Sequence, residues 1–332
     1  MRQYDVYGLG NALVDIQFRV DPSFFEAMEI DKGVMTLIDG DRQRALIDAL
    51  GGKEMARSSG GSAANTMIAL ANCGGQGYYG CKVAEDTDGE FYLRDLSAAG
   101  VACNPSSHRE QGVTGKCLVM ITEDADRTMN TFLGITSTFG VAQVEDAVIA
   151  DSQYIYIEGY LIAADDGFEA AQAAQKVAQA HGTKVALTLS DPSIVAAFKD
   201  RMTALVNAGV DMLFCNEDEG RIFTGAETTE EAFDALRHRV GGLALTYGAD
   251  GARVCDGGDV FHAPGFVVDA VDTNGAGDSF AGAYLFAVTR GYDAAQAARL
   301  ATYVSSRVVA KYGPRFERKL NGAEINRMLK MR

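Results

Sequence analysis

Asp272-Thr273-Asn274-Gly275-Ala276-Gly277-Asp278-Ser279-Phe280 is the stretch on which the reading of this chain turns. It follows a β-like run, Phe266–Val271, and leads into an Ala-rich segment with helical character over Ser279–Thr289. Three small residues at a helix start leave backbone N–H groups unpaired and uncovered, which makes an anion site from peptide dipoles alone. Asp278, just inside the helix, places a carboxylate beside that anion. The helix dipole favours its ionised form, and it can orient an attacking hydroxyl and accept its proton. The plainer alternative is a glycine-rich helix start with an acidic first turn, so the rest of the sequence has to decide.

Four companions bear on the decision. Gly60-Gly61-Ser62-Ala63-Ala64-Asn65 is a second loop-to-helix entry with glycines that permit close backbone approach, and Ser62 reads as the N-cap of a helix over Ser62–Ala71 that stops before Gly74-Gly75. Asn11 and Asp15 straddle the apolar Ala12-Leu13-Val14. Asn216-Glu217-Asp218-Glu219 directly follows a strand, Met212–Cys215, at the carboxyl edge where open parallel sheets bind ligands. Thr246-Tyr247-Gly248-Ala249-Asp250-Gly251 follows another strand, Leu243–Thr246, at the same edge.

Around these motifs the chain alternates. Strands are expected at Tyr4–Gly8, Tyr78–Val83, Tyr154–Ile157, Val185–Leu189, Met212–Cys215 and Leu243–Thr246, with helices at Gly89–Ala99, Phe168–Ala180, Ile194–Ala208, Glu217–Phe223 and Glu230–Val240. Helices at Ser279–Thr289, Ala294–Val309 and Ala323–Leu329 close the chain. Such alternation predicts βαβ units and a mostly parallel sheet covered on both faces. Extended segments near 14–20, 33–38 and 115–133 fall outside the alternation and are expected to form a small separate sheet, a lid over one end of the main one. With five prolines, no linker and no internal repeat, residues 1–332 read as one domain.

Composition excludes several classes. The 332 residues are 47% hydrophobic and 23% charged, an ordinary globular mixture. Forty-five acidic against thirty basic residues give a net charge of −15, a field that repels polyanions and argues against nucleic-acid partners. The same field opposes a small polyanion unless a local feature overrides it. The six cysteines show no paired or zinc-like spacing and read as small buried hydrophobes in a reducing compartment. No run of about 18 apolar residues and no signal-like N-terminal segment occurs, which predicts a cytoplasmic protein with no membrane partner.

Several other chemistries lack their motifs. Gly8-Leu9-Gly10 is followed by Leu13 where a dinucleotide fingerprint requires its third glycine, and no phosphate-loop motif ending in Gly-Lys-Ser/Thr occurs. The histidines at 108, 181, 238 and 262 are isolated, and the Gly-x-Ser-x-Gly elbow of hydrolases is missing.

Taken in order, the early Gly60–Asn65 and late Asp272–Asp278 signatures, with Asn216-x-x-Glu219 and Thr246-x-Gly248-x-x-Gly251 between them, resemble the ribokinase/PfkB family of carbohydrate and nucleoside kinases over nearly the full chain. The resemblance implies a three-layer α/β/α sandwich with a small β-sheet lid, and transfer of the ATP γ-phosphoryl to a hydroxymethyl group. It implies that Asp278 is the catalytic base and that Gly275, Ala276 and Gly277 form the anion hole. Asp15, Gly60, Gly61, Ser62 and Asn65 would hold sugar hydroxyls; Asn216, Glu219, Thr246, Gly248 and Asn274 would serve ATP. Glu219 would hold Mg2+ through water, and Asp272 would belong to a site for K+. Asn11 four residues before Asp15, Arg127 ahead of Asn130-Thr131-Phe132-Leu133, and Thr188-Leu189-Ser190-Asp191-Pro192 are similar to the adenosine kinase branch. In that reading Leu13, Leu133 and Tyr160 face the base and Arg127 reaches the phosphates. One departure is Ser193, where that branch tends to place an aromatic. The implied reaction is adenosine to AMP, with a ribose- or fructose-like sugar as the alternative acceptor, and a non-catalytic binding protein as a third reading. Monomer and homodimer both stay open.

Overall fold

A computed structural model describes residues 2–103, 109–123, 127–316 and 318–330. His108 lies outside the described residues, as do residues 124–126 of the segment expected to belong to the small sheet. The strands, in chain order, are β1 (Tyr4–Leu9), β2 (Leu13–Arg19), β3 (Met35–Leu37), β4 (Glu54–Gly60), β5 (Gly77–Gly80), β6 (Ala102–Cys103) and β7 (Gly115–Ile121). They continue as β8 (Arg127–Phe132), β9 (Ser152–Ile157), β10 (Lys184–Thr188), β11 (Met212–Asn216), β12 (Gly242–Thr246), β13 (Ala252–Asp256) and β14 (Asp259–Ala263).

Nine of them form one sheet in the order β14-β13-β12-β11-β10-β9-β1-β5-β6. From β12 to β6 every pairing is parallel; β13 and β14 add an antiparallel hairpin at one edge. Its strands are apolar on both faces because each face is covered. One core takes Leu9, Ile155, Ile157, Leu187, Leu213 and Leu245 from the sheet against helices Asp165–His181, Lys199–Asn207 and Thr229–Arg237. The other takes Val6, Tyr79, Tyr156, Ala186 and Phe214 against helices Ser62–Asn72, Ala276–Thr289 and Ala294–Val309. The result is the expected three-layer sandwich.

The second sheet has the order β3-β8-β7-β2-β4. Alternate residues of its strands divide between two environments, as the two-residue period requires. Val14, Ile16, Phe18, Leu118 and Met120 enter the main apolar core with Phe25, Leu46 and Leu50, while Leu13, Asp15, Cys117, Val119, Met129 and Thr131 line a cavity.

Three sequence expectations are corrected. Phe266–Val271 is not a strand: β14 ends at Ala263, and this run lies along helix Ala294–Val309, with Phe266 packed edge-on against Tyr303 and the Val271 N–H donating to Val309 O. Ile194–Ala208 is two helices, Pro192–Ala197 and Lys199–Asn207, broken at Phe198 by a non-helical φ of −123°. The late glycine-rich helix begins at Ala276, ahead of Ser279, because Gly275 supplies its N-cap.

Candidate active site

The order of the main sheet reverses at β1: the chain runs outward to β5 and β6 on one side, then returns to β9 and continues to β12 on the other. At such a switch point the loops leaving adjacent strands diverge and open a crevice beyond their carboxyl ends. Asn11 lies just beyond β1 and Glu158 immediately follows β9. Glu158, only 1% exposed, fastens the crevice together: Oε1 accepts from the Asn11 backbone N–H (3.2 Å) and Nδ2 (3.1 Å), and Oε2 accepts from the Ala63 N–H (2.8 Å). Burial pushes its carboxyl up to about 7, against the opposing pull of those hydrogen bonds.

The Gly60–Asn65 and Asp272–Asp278 motifs meet across this crevice. Ser62 Oγ donates to Asp278 Oδ1 at 2.6 Å, and Asn65 Nδ2 donates to Asp278 Oδ2 at 3.2 Å. Ser62 is therefore not the N-cap of its helix. Gly61 occupies that position at φ +101°, where a Cβ would lie 2.0 Å from Asn11 O, and Ser62 is freed to reach the carboxylate. Gly275 caps the opposing helix at φ +74°, and a Cβ there would strike the Pro314 carbonyl at 2.2 Å. Above Gly277, by contrast, a Cβ would meet nothing within 4 Å, so the first turn of this helix is open to a ligand. Asp278 is raised to about 6 by burial, with Ser62 and Asn65 pulling the other way.

Asp15, on β2, is pushed up to about 7 by burial; Arg315 and Arg127 oppose that rise and Asp278 adds to it. Together with Asn11, Gly61, Ser62, Asn65 and Asp278 it forms the polar end of a 350 Å3 cavity. Leu13, Met35, Leu37, Cys117, Val119, Met129 and Leu133 supply an apolar wall, with Tyr160 and Ile194 also on the lining. Gly60 is not on the lining; its carbonyl accepts from Tyr92 Oη at 2.9 Å. Asn216, Glu219, Asn274, Gly275, Ala276 and Gly277 border the same cavity. Thr246 and Gly248 border a second one of 400 Å3, which shares Thr273, Ala276 and Gly277 with the first. The glycine-rich helix start is thus the partition between two compartments.

Asn216 caps its helix through Oδ1, which accepts from the Glu219 N–H at 2.9 Å, while the Glu219 carboxylate accepts from the Asn216 N–H and Nδ2. Glu219 rises to about 7, first through burial and then through the nearby charges of Asp191, Asp278 and Asp218. Among the described residues no three acidic, histidine or cysteine side chains cluster to hold a metal. A Mg2+ ion that arrives on a phosphate chain needs only one or two carboxylates and keeps its waters. The crowded anionic surroundings of Glu219 fit such an ion.

Asp272 does not fit the K+ expected beside it. Its Oδ1 accepts from the Asn274 N–H (3.1 Å), its Oδ2 accepts from the Gly313 N–H (2.8 Å), and Arg127 already supplies a cation 2.8 Å from Oδ2. The same ion pair, with side chains only 8% and 4% exposed, turns Arg127 onto the loop before the glycine-rich helix, and Arg127 is not among the residues that line either compartment, where phosphates were expected to meet it.

Glu158, Arg315 and the Gly313-Pro314 turn are the parts that sequence reasoning missed. Glu158 carried a usable signal, since it directly follows the expected strand Tyr154–Ile157 just as Asn216 follows the expected strand Met212–Cys215. Arg315 carried none, because its partners Ser59, Asn65 and Asp95 lie more than two hundred positions away.

A family model described as "pfkB family carbohydrate kinase" matches residues 35–319. Adenosine kinase from Sinorhizobium meliloti superposes with a TM-score of 0.90 at 35% identity, covering 98% of this chain and 99% of that one. A protein described as a "probable sugar kinase" from Rhizobium etli CFN 42 superposes with a TM-score of 0.91 at 32% identity, covering 99% of this chain and all of the other. Adenosine kinase 1 of Arabidopsis thaliana is 27% identical over 330 residues, 92% of this chain and 94% of the plant protein.

Proposed function

The chain belongs to the pfkB family of carbohydrate kinases, and from that premise we propose that it transfers the γ-phosphoryl group of Mg-ATP to the 5′-hydroxymethyl group of a nucleoside, converting adenosine to AMP. One observation carries the nucleoside half. The 350 Å3 cavity is polar where Asn11, Asp15, Asn65 and Asp278 converge and apolar along the wall of the second sheet, a division that suits a ribose joined to a flat heterocycle. A free sugar would leave the apolar wall without a partner.

In this reading Asp15 and Asn65 receive the ribose hydroxyls and bring the 5′-oxygen to Asp278, which takes its proton as the oxygen attacks. Raised only to about 6, Asp278 is still mostly ionised at neutral pH, and the rise makes it a stronger base for the proton. First-turn amides of the helix Ala276–Thr289 face the charge on the phosphoryl oxygens. The nucleotide lies across the partition, with its base in the compartment of Thr246 and Gly248. Kinases of this family use Mg2+, which neutralises phosphate charge when bound. Glu219 and Asn216 would hold its water shell. The second sheet acts as a lid that excludes water from the acceptor.

A sugar acceptor is the second reading. It is favoured by Ser193, which is exposed and bonded back to Asp191 and offers no ring for a base to stack on. A panel of nucleosides and free sugars assayed by ADP release separates the two. Turnover with adenosine above that with ribose or fructose is expected. Sugar phosphate with no nucleotide product would overturn the nucleoside assignment.

A further inference from the structure

Three consecutive residues near the end of the chain each hold a different piece of the site. The Gly313 N–H donates to Asp272, the Pro314 carbonyl packs on Gly275, and Arg315 reaches Asn65. Arg315 is the most elaborately held. Its Nε donates to Asn65 Oδ1 at 3.2 Å, Nη1 to Asp95 Oδ2 at 3.1 Å, and Nη2 to Ser59 Oγ at 2.9 Å. The far end of the fork is itself anchored, because Asp95 Oδ2 accepts from both the N–H (2.8 Å) and the Oγ (2.7 Å) of Ser59.

This arrangement fixes which way the Asn65 amide points. A guanidinium can only donate and an ionised carboxylate can only accept. With Arg315 on one side and Asp278 on the other, Asn65 must turn Oδ1 to the arginine and Nδ2 to the aspartate. A flipped amide would set donor against donor and oxygen against oxygen.

We propose that Arg315 is a positioning residue for phosphoryl transfer, holding the Asn65 amide so that its Nδ2 fixes the Asp278 carboxylate toward the acceptor hydroxyl. The proposal rests on the reading of Asp278 as the proton acceptor. Arg315 does not border the acceptor cavity and acts through Asn65. Its charge also opposes the burial of Asp15, so one residue behind the wall serves both acids of the polar end. Among the described residues, the titratable groups that feel the Asp278 charge include Asp15, Glu158, Glu219, Tyr156 and Tyr160. None of them is a cation, so the hydrogen bond that Arg315 secures is a principal support of the charged form.

The test compares wild type, D278N, R315M and R315K in one ADP-release assay with the best acceptor of the panel, together with melting temperatures and pH–rate profiles. R315K keeps a charge beside Asp95 for folding, but an ammonium cannot serve three acceptors with a fixed fork. Both Arg315 variants are expected to lose about 10- to 100-fold in kcat, the scale of a small misplacement of a reacting group. Acceptor KM should change far less. The acid limb of kcat/KM should move to higher pH, because Asp278 loses a hydrogen bond that favours its ionised form. R315M combined with N65A should be no worse than N65A alone. Wild-type kcat and an unshifted acid limb in a folded R315K, or losses that multiply with N65A, would overturn the role of Arg315 while D278N still abolished turnover. If D278N itself kept full turnover, the reading of the base would fail, and the proposal with it.

Discussion

Arg127 at the start of β8 and Asp272 at the head of the glycine-rich loop form a buried ion pair, 2.8 Å apart, that ties the second sheet to the loop opening the helix Ala276–Thr289. Removing one partner leaves the other charge buried and alone, which is destabilising by about 3 kcal/mol. R127M is therefore expected to lower the melting temperature as well as kcat, and chemical denaturation of the variant checks the first part.

The same pair predicts indifference to monovalent cations. With Asp272 already answered by Arg127, Asn274 and Gly313, initial rates in potassium chloride and in tetramethylammonium chloride at equal ionic strength should agree within about twofold. A strong activation by potassium would show that the pair opens to admit the ion.

Two glycines two positions apart should respond oppositely in stability. G275A places a side chain at φ +74° against the Pro314 carbonyl, so loss of stability by at least about 1 kcal/mol is expected together with loss of turnover. G277A meets open space in a helical first turn and should fold as well as wild type or slightly better. It should nevertheless turn over slowly, because its methyl group covers the surface an anion must approach. Melting temperature and kcat measured side by side distinguish the two.

Four carboxyls, Asp15, Glu158, Glu219 and Asp278, are pushed up to between about 6 and about 7 in the folded protein. A group that binds its proton more tightly when folded stabilises the fold below its unfolded pKa of about 4 and loses that contribution as pH rises through the folded value. The melting temperature without ligand should accordingly fall between about pH 5 and pH 8. D278N removes one of these buried charges, so it should melt higher than wild type at pH 8, with the gap narrowing toward pH 5. Turnover should drop by several orders of magnitude and acceptor binding should survive. In the wild type, kcat/KM should decline below about pH 6 as Asp278 takes up its proton.

Substitution of the apolar wall tests what the acceptor carries besides hydroxyls. M129S removes apolar surface from β8 without touching the polar end of the cavity. A loss of about 1 kcal/mol in apolar contact raises KM for a nucleoside by about fivefold to tenfold and leaves KM for a free sugar unchanged.

Much of the fold was legible because the parallel strands are buried on both faces and announce themselves as short apolar runs between helices. Elements with weaker patterns escaped. β4, Glu-Met-Ala-Arg-Ser-Ser-Gly, is an edge strand with its first three residues exposed, so neither alternation nor an apolar run marks it. The helix Gly40–Leu50 is announced only by its cap, Asp39, which accepts from the Arg42 N–H. Phe266–Val271 carried β-forming residues but has no strand to pair with, and Val267 stands fully in solvent. In the site, the two glycine-rich motifs were visible because a helix start with glycines at positive φ is a local pattern, as Gly61 and Gly275 show. The ion pair of Arg127 with Asp272, and the fork of Arg315, obey no local pattern; each is decided by which distant segments the fold brings together.

The bond from Asn65 to Asp278 spans 213 positions, and that from Arg315 to Asn65 spans 250. During synthesis, therefore, Asn65 emerges more than two hundred residues ahead of both side chains that fix its amide, Asp278 and Arg315. A nascent or prematurely terminated product that ends before Gly313 carries the early motif without the segment that braces it. Such a fragment holds Ser62 and Asn65 but has neither the Pro314 carbonyl against Gly275 nor the Arg315 fork on Asn65.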